Sequence, residues 1–210
     1  YKTSGGLHGV GSSVVNALSE RMKVKISRDG KVYYDEYEKG HPVVELKDGL
    51  LPVIGKSKET GTEINFLPDP TIFEETVYDY DTLKQRLRET AFLTKGLRIK
   101  VEDLREEPVK KADFCFEGGL NSFVEYLNQN KEKLHKKPIY IEKTEGEVPV
   151  EIAIQYTTAY SENIYTFVNN INTVEGGTHL EGFKRALTKV FNDYARSHNF
   201  LKDKKVKGLQ

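Results

Sequence analysis

Tryptophan is absent from this chain of 210 residues, and cysteine and methionine occur once each. A single cysteine, Cys115, excludes an internal disulfide, and no second cysteine or nearby histidine completes a metal-ligand set. Its position between Phe114 and Phe116 predicts a strand residue packed in a core. The apolar runs are only a few residues long, so no transmembrane span or secretory signal is predicted. We therefore expect a cytoplasmic globular chain of one or two domains, with no membrane partner.

Excess charge of either sign is also lacking, since 32 basic residues balance 32 acidic ones. A neutral chain argues against a nucleic-acid partner. The balance is uneven along the sequence, however: residues 182–210 hold eight basic and two acidic residues, a net charge of +6, and the remainder carries −6. The basic region includes Lys184 and a tail of four lysines, Lys202, Lys204, Lys205 and Lys207.

Glycine is concentrated near the start of the chain, where Gly5, Gly6, Gly9 and Gly11 fall within seven positions. Glycine lets backbone amides approach an anion closely, and a helix-like apolar pattern follows at Val14, Val15 and Leu18. The first amides of a helix lack internal partners and favour negative charge. The segment therefore has the outline of a phosphate site.

Several loop types compete for this outline. A Walker A loop requires Lys and then Ser or Thr after its last glycine, whereas Gly11 is followed by Ser12 and Ser13. A dinucleotide fingerprint fails because its third glycine and preceding strand are missing. A lid over a bound nucleotide and a flexible surface loop both remain open on composition alone.

The rest of the pattern predicts strands and helices in both halves. Alternation over 22–28, the Asp29-Gly30 pair and residues 31–38 predict a β-hairpin. Further strands are expected at 41–46, 61–67 and 97–101. A helix is expected at 80–94, with Leu83, Leu87, Ala91 and Phe92 on one apolar stripe. Capping boxes are predicted at Ser122 and Thr178.

The second capping box is predicted to open a long helix with an apolar stripe. Its members Phe183, Leu187, Val190, Phe191 and Tyr194 are expected to be buried.

Four segments resemble the B subunits of bacterial type IIA DNA topoisomerases, the family of DNA gyrase B and topoisomerase IV B within the GHKL ATPases. The glycine-rich segment 1–19 is similar to the ATP lid, and 61–69 to the strand that places a threonine in the adenine pocket. Segments 116–128 and 167–183 resemble the transducer domain. The resemblance implies an α+β fold: the C-terminal part of a GHKL (Bergerat) α/β sandwich over 1–113, then a partial transducer domain of ribosomal protein S5 domain 2-like fold over 114–210.

The resemblance also implies particular roles for individual residues. Thr62 corresponds to the adenine contact, Arg28 to an arginine at the pocket mouth where inhibitors bind, and Lys184 to a residue lining the DNA cavity. On sequence alone, Lys184 fits a solvated helix face equally well. The implied ATP-binding residues are Tyr1, Lys2, Gly5, Gly6, Leu7, His8, Gly9, Val10, Gly11 and Thr62.

By the same resemblance, the parent protein binds ATP and Mg²⁺, dimerises on ATP binding, passes DNA and assembles with an A subunit as A2B2. We expect the family's catalytic glutamate, magnesium-binding asparagine, adenine-reading aspartate and γ-phosphate lysine to lie outside this chain, which is thus expected to be cut at both ends. No catalytic or metal-binding residue is assigned, and turnover by the chain alone is not expected.

Two alternatives differ in class or family. The first is a non-enzymatic DNA-binding or subunit-interaction module built on the basic C-terminal helix. The second is another GHKL ATPase, such as a mismatch-repair protein, which the topoisomerase-like run 175–179 disfavours.

Overall fold

The computed structural model describes residues 9–146, 148–201 and 208. The chain divides into two compact units, one ending at Arg86 and one beginning at Leu87. This division falls before the predicted domain boundary at 113/114, because Phe92 packs with the aromatic residues that follow it. The boundary between the two named domains stays a prediction.

The first unit is built on an antiparallel sheet with the order β3-β2-β1-β5, in which β4 also pairs with β2. Its elements are α1 (Gly11–Ala17), β1 (Ser19–Arg28), β2 (Lys31–Glu38), β3 (His41–Pro42), β4 (Val53–Lys56), β5 (Gly61–Pro68) and the start of α2 (Tyr80–Leu93). The predicted strand 41–46 is thus reduced to two residues, and the helix near residue 12 is shorter than its apolar pattern suggested.

Two tight turns set the register of the first three strands. Asp29 and Gly30 have φ values of 52° and 78°, and Lys39 and Gly40 have 48° and 79°. Positive φ at both central residues belongs to the type I′ turns that suit twisted hairpins. The Asp-Gly hairpin was predicted from its residue pair, and the structure confirms it with Arg28 opposite Lys31.

Side-chain alternation gives this sheet one largely apolar face. Residues opposite each other in antiparallel strands share a face, as do residues two apart along one strand. The pairs Met22↔Phe66, Val24↔Ile64 and Ile26↔Thr62 therefore lie side by side. We call the face formed by these six residues the apolar face.

The second unit follows α2 with β-hairpins and two further helices. Its elements are β6 (Ile99–Asp103), β7 (Lys110–Phe114), α3 (Leu120–Leu127), β8 (Ile139–Lys143), β9 (Val150–Ile154), β10 (Phe167–Val168), β11 (Ile171–Asn172) and α4 (Thr178–Ser197). The pairs β6-β7, β8-β9 and β10-β11 each form a separate two-stranded sheet.

An aromatic cluster forms the core of the second unit. Phe92 is 2% exposed, and its ring centroid lies 3.6 Å from that of Phe116, 5.2 Å from Phe123 and 5.4 Å from Tyr126. Ala91 beside it is fully buried. The predicted apolar stripe of α2 is only partly correct, since Ala91 and Phe92 are buried and Leu87 is half-buried, but Leu83 is exposed. Asp79 caps this helix by accepting the Thr82 amide at 2.7 Å.

The prediction that Cys115 is a buried strand residue is wrong. Strand β7 ends at Phe114, and Cys115 is exposed. The chain leaves the ladder at that point, so Phe116 reaches Phe92 while the thiol between the two phenylalanines faces outward.

Both predicted capping boxes are also wrong. Helix α3 starts at Leu120, so Ser122 already lies inside its first turn, and α4 starts at Thr178 rather than after it. The N-cap residues are Gly119 and Gly177, with positive φ values of 56° and 145°, and no side chain caps either helix.

The predicted buried face of α4 is only partly correct. Phe183 and Leu187 are half-buried, but Val190, Phe191 and Tyr194 are exposed. The buried residues of this helix are instead Asn192 and Ala195.

Candidate functional site

The glycine-rich segment is described only at its end. Of the predicted ATP-binding residues, Tyr1, Lys2, Gly5, Gly6, Leu7 and His8 lie outside the described residues. Gly9 has a φ of 65°, and a Cβ placed on it would meet nothing within 4 Å. The left-handed backbone, and not crowding, is what favours glycine at this position.

Val10 and Gly11 form the start of α1. Val10 is its N-cap, and the carbonyl oxygen of Val10 accepts the Val14 amide at 2.9 Å. No side chain caps the helix, and its first turn holds no acidic residue. The first amides of α1 therefore have no side-chain partner among the described residues, which is the condition an incoming anion needs.

Thr62 lies near the end of the apolar face, with an apolar side chain across the sheet and another beside it on its own strand. It pairs with Ile26 across the sheet, and Ile64 follows two residues along the same strand. The Thr62 hydroxyl makes no hydrogen bond within the described part of the chain. A flat apolar surface with one free hydroxyl suits a heterocyclic base that stacks and needs one polar contact.

The apolar face is open along β5, whereas Met22 on β1 is buried. Ile64 is 54% exposed and Phe66 is 42% exposed, although both side chains extend from the middle of an eight-residue strand. Tyr78 contacts the edge of the Phe66 ring, with centroids 6.5 Å apart. Because soluble proteins rarely leave such patches uncovered, this part of the face is a candidate binding surface.

Arg28 shares this side of the sheet with Thr62. It follows Ile26 by two residues on β1, so alternation places its side chain on the same face, at the hairpin end. Its guanidinium is exposed and lies 3.6 Å from the Asp29 carboxylate. The structure thus brings two of the predicted site residues together on one surface.

A shallow depression of about 440 Å³ adjoins Thr62 and was missed by sequence reasoning. It is lined by Lys25, Ser27, Val32, Lys56, Ser57, Gly61, Thr62 and Glu63. The Lys25 ammonium lies 2.9 Å from the Glu63 carboxylate, so one of its two lysines is already neutralised. Seven of these residues come from four strands and Ser57 follows β4, so no local spacing in the sequence links them.

Lys184 lies in the second turn of α4, away from the half-buried residues Phe183 and Leu187. Its Nζ lies 2.7 Å from Oε1 of Glu162, and the two side chains are 45% and 64% exposed. The hydrogen bond to Glu162 raises the pKa of the Lys184 ammonium, and Glu181 adds to this effect. The four lysines of the predicted basic tail lie outside the described residues.

No group of three or more His, Cys, Asp and Glu side chains in the described ranges could hold a metal ion. A search of the same ranges also finds no helix with the length and apolar character needed to cross a membrane.

Comparison with solved structures defines the class of protein. The chain aligns with the 43K ATPase domain of Thermus thermophilus gyrase B, solved in complex with an aminocoumarin, at 38% identity and a TM-score of 0.76, covering 97% of this chain and 53% of that one. It aligns with the B-subunit of the Myxococcus xanthus DNA gyrase at 28% identity and a TM-score of 0.74, covering 85% and 51%. The fold is that of the GHKL ATPase domain of type II topoisomerases.

The sequence relatives of this chain are DNA gyrase B proteins. Residues 119–210 match the family model described as DNA gyrase B. The chain is 56% identical to the DNA gyrase B of Halalkalibacterium halodurans over 97% of its own length and 31% of that protein. It is 52% identical to the DNA gyrase B of Bacillus cereus, covering 97% and 49%. The chain is thus homologous to part of bacterial DNA gyrase B, and it spans about a third to a half of the curated relatives it matches.

Proposed function

We propose that this chain is the nucleotide-binding region of an ATP-dependent type II DNA topoisomerase of the gyrase B kind. In the whole protein, ATP binding and hydrolysis are coupled to dimerisation of the subunit and to DNA strand passage, which changes supercoiling or decatenates DNA. Homology to gyrase B over nearly the whole chain carries this proposal. The relatives named above are gyrase B proteins, which favours gyrase over topoisomerase IV.

The nucleotide is proposed to bind at the apolar face. The purine stacks on Ile26 and Ile64, and the Thr62 hydroxyl provides a polar contact at its edge. Arg28 places a positive charge at the rim. The first amides of α1, which have no side-chain partner among the described residues, are proposed to receive the phosphates. Lys2 and His8, which lie outside the described residues, are proposed to contribute to the same site.

Closure of the lid over ATP is the proposed conformational step. Binding of the triphosphate is proposed to close the glycine-rich segment over the nucleotide and to favour the dimer, and hydrolysis to reverse both steps. In the parent protein, ATP is proposed to bind together with Mg²⁺. The described residues contain no cluster of three or more His, Cys, Asp and Glu side chains, and no metal-binding residue is assigned. We also propose that this chain alone does not turn over ATP.

The proposed partners are DNA, a second copy of the gyrase B protein and the topoisomerase A subunit, in an A2B2 assembly. A cytoplasmic location is proposed with these partners. The DNA contact is proposed at Lys184, which is exposed on α4 together with Arg185 and Lys189. Contacts to phosphate at this helix would be independent of sequence and weakened by salt.

The nucleotide site is tested by isothermal titration of the chain with a non-hydrolysable ATP analogue. Thr62→Val keeps the shape of the side chain but removes the hydroxyl, so we expect binding about two- to ten-fold weaker. Thr62→Ser keeps the hydroxyl and should bind within about two-fold of the unchanged chain. Equal affinity of the Val variant and the unchanged chain would contradict the adenine contact.

Turnover is tested separately with a coupled ATPase assay. We expect no phosphate release that scales with the concentration of the chain. Release that scales in this way, and that Gly9→Ala abolishes by straining the φ of 65°, would show that the chain is itself an ATPase.

A second candidate function is a DNA-binding or subunit-interaction module that needs no nucleotide, favoured by the exposed basic residues of α4. It predicts salt-dependent binding of duplex DNA with no response to the ATP analogue. A chain that binds both ligands, with only the nucleotide affinity sensitive to Thr62→Val, supports the topoisomerase function instead.

A further inference from the structure

The Lys184–Glu162 ion pair joins α4 to an irregular segment that is otherwise loosely attached. Residues 160–164 lie between β9 and β10 and are all exposed. Within the described part of the chain, the carboxylate of Glu162 makes the only hydrogen bond or ion pair from this segment. A single side chain therefore holds 160–164 to the basic helix by polar contact.

Lys184 differs in this respect from the two basic residues near it on α4. Arg185 and Lys189 are exposed and make no ion pair with any described residue. The charge of Lys184 is matched by a carboxylate from a distant part of the sequence, at 2.7 Å. A carboxylate at this distance occupies the position that a phosphate oxygen would take.

We propose that Glu162 is a counter-ion gate for DNA: it occupies Lys184 when DNA is absent, and a backbone phosphate must displace it. This inference rests on the proposed DNA contact at Lys184. Displacement frees residues 160–164 from α4 and leaves a negative charge beside the DNA. The gate lowers the affinity of the chain for isolated duplexes, and it couples DNA binding to release of the segment.

The first test measures the binding of a fluorescein-labelled duplex by fluorescence anisotropy over a range of salt concentrations. Because an exposed ion pair contributes little, we expect Glu162→Gln to bind DNA roughly two- to five-fold more tightly. The slope of log K against log salt should become steeper by up to about one, since no freed carboxylate offsets the phosphate contact.

The matched control is Glu106→Gln. Glu106 pairs with Lys110 at 2.9 Å, with side chains 61% and 48% exposed, which closely matches the Glu162–Lys184 pair. A gain in affinity for Glu106→Gln equal to that for Glu162→Gln would mean that overall charge alone is responsible, and it would overturn the gate.

A double-variant cycle separates the gate from the DNA contact. If Glu162 acts through Lys184, Glu162→Gln gives no gain in a Lys184→Gln background. Equal gains in both backgrounds overturn the gate. If Lys184→Gln weakens binding but Glu162→Gln has no effect, the gate is wrong and the DNA contact holds. If Lys184→Gln binds DNA as tightly as the unchanged chain, or the unchanged chain shows no salt-dependent DNA binding, the DNA contact is wrong. The gate is then wrong as well, because it depends on that contact.

Release of the segment is tested without relying on affinity. Tyr160 is fully exposed and offers a chymotrypsin site at the start of the segment. Both Glu162→Gln and Lys184→Gln should be cleaved faster after Tyr160 than the unchanged chain in the absence of DNA, with circular dichroism and melting temperature unchanged. Unchanged cleavage rates in both variants would show that the ion pair does not hold the segment, and would overturn this part of the proposal.

Discussion

Asp103 ends strand β6 with a carboxylate that is nearly all buried. It accepts hydrogen bonds from the Arg105 amide at 3.1 Å, from Nε at 2.8 Å and from Nη2 at 2.7 Å. The Arg105 guanidinium is the largest cause that lowers the pKa of this carboxyl from 3.8 to about 2. Charged Asp103 is therefore favoured in the folded chain.

A pH-dependent stability contribution follows from this depressed pKa. Because the unfolded chain binds the proton more tightly than the folded chain does, the contribution is fully present above pH 3.8 and is lost as the pH falls towards 2. Asp103→Asn should melt at a lower temperature than the unchanged chain at pH 6, and the difference should shrink towards pH 2. Thermal melts across this range check it, with the exposed Glu45→Gln as the control, and a difference that stays constant with pH would contradict it.

Two glycines in type I′ turns give a second prediction at this scale. Gly30 and Gly40 have nearly equal φ values of 78° and 79°, but a Cβ on Gly30 meets nothing within 4 Å, whereas one on Gly40 lies 3.1 Å from the Ala17 Cα. Gly30→Ala should lower the free energy of unfolding by about 1 kcal/mol through φ strain alone. Gly40→Ala should lower it further, because the backbone of α1 must also shift. Urea unfolding measures both, and equal losses would show that the approach to Ala17 costs nothing.

At the scale of elements, the aromatic cluster around Phe92 is the best-packed part of the second unit. Phe92→Ala removes a ring that stacks on Phe116 at 3.6 Å, and it should lower the free energy of unfolding by roughly 3–5 kcal/mol. Phe200→Ala is the control, because Phe200 is 69% exposed, and its loss should stay below about 1 kcal/mol. Denaturant unfolding of both variants checks this, and similar losses would contradict the cluster as the core.

The helices show how far apolar spacing predicts structure. In α2 the predicted stripe is buried at its C-terminal end, at Ala91 and Phe92, but Leu83 near its start is exposed. In α4 a similar stripe includes Val190 and Tyr194, which are exposed. Spacing shows which residues share a face of a helix, but it cannot show whether another element covers that face, because this depends on residues distant in the sequence.

Local motifs were reliable only where one residue pair fixes the backbone. The Asp29-Gly30 turn is confirmed because few other conformations suit that pair. The predicted cap at Thr178 is wrong because Thr178 is the first residue of α4. The N-cap is Gly177, whose φ of 145° is one that side chains disfavour. The ion pair between Lys184 and Glu162 has no local signal at all, since 160–164 is irregular and folds back onto α4.

For the molecule as a whole, the open apolar face has consequences for behaviour in solution. Strand β5 is an edge of its sheet within the described residues, and it exposes Ile64, Phe66 and Leu67. Edge strands with exposed apolar side chains pair with other chains unless a charge prevents it. Ile64→Lys should therefore reduce concentration-dependent association, measured by sedimentation velocity. Val174→Lys is the control, since Val174 is 82% exposed and lies outside this face, and an equal reduction in both variants would contradict the role of β5.

Strand β1 is hydrogen-bonded on both sides, from Arg21 to Arg28 by β2 and from Ser19 to Ser27 by β5. In hydrogen–deuterium exchange its amides should therefore be the slowest in the first unit, because they exchange only when the sheet opens. In β5 every second amide points away from β1, so fast and slow positions should alternate along the strand. The rates of deuterium uptake, residue by residue, thus record which side of each strand is paired.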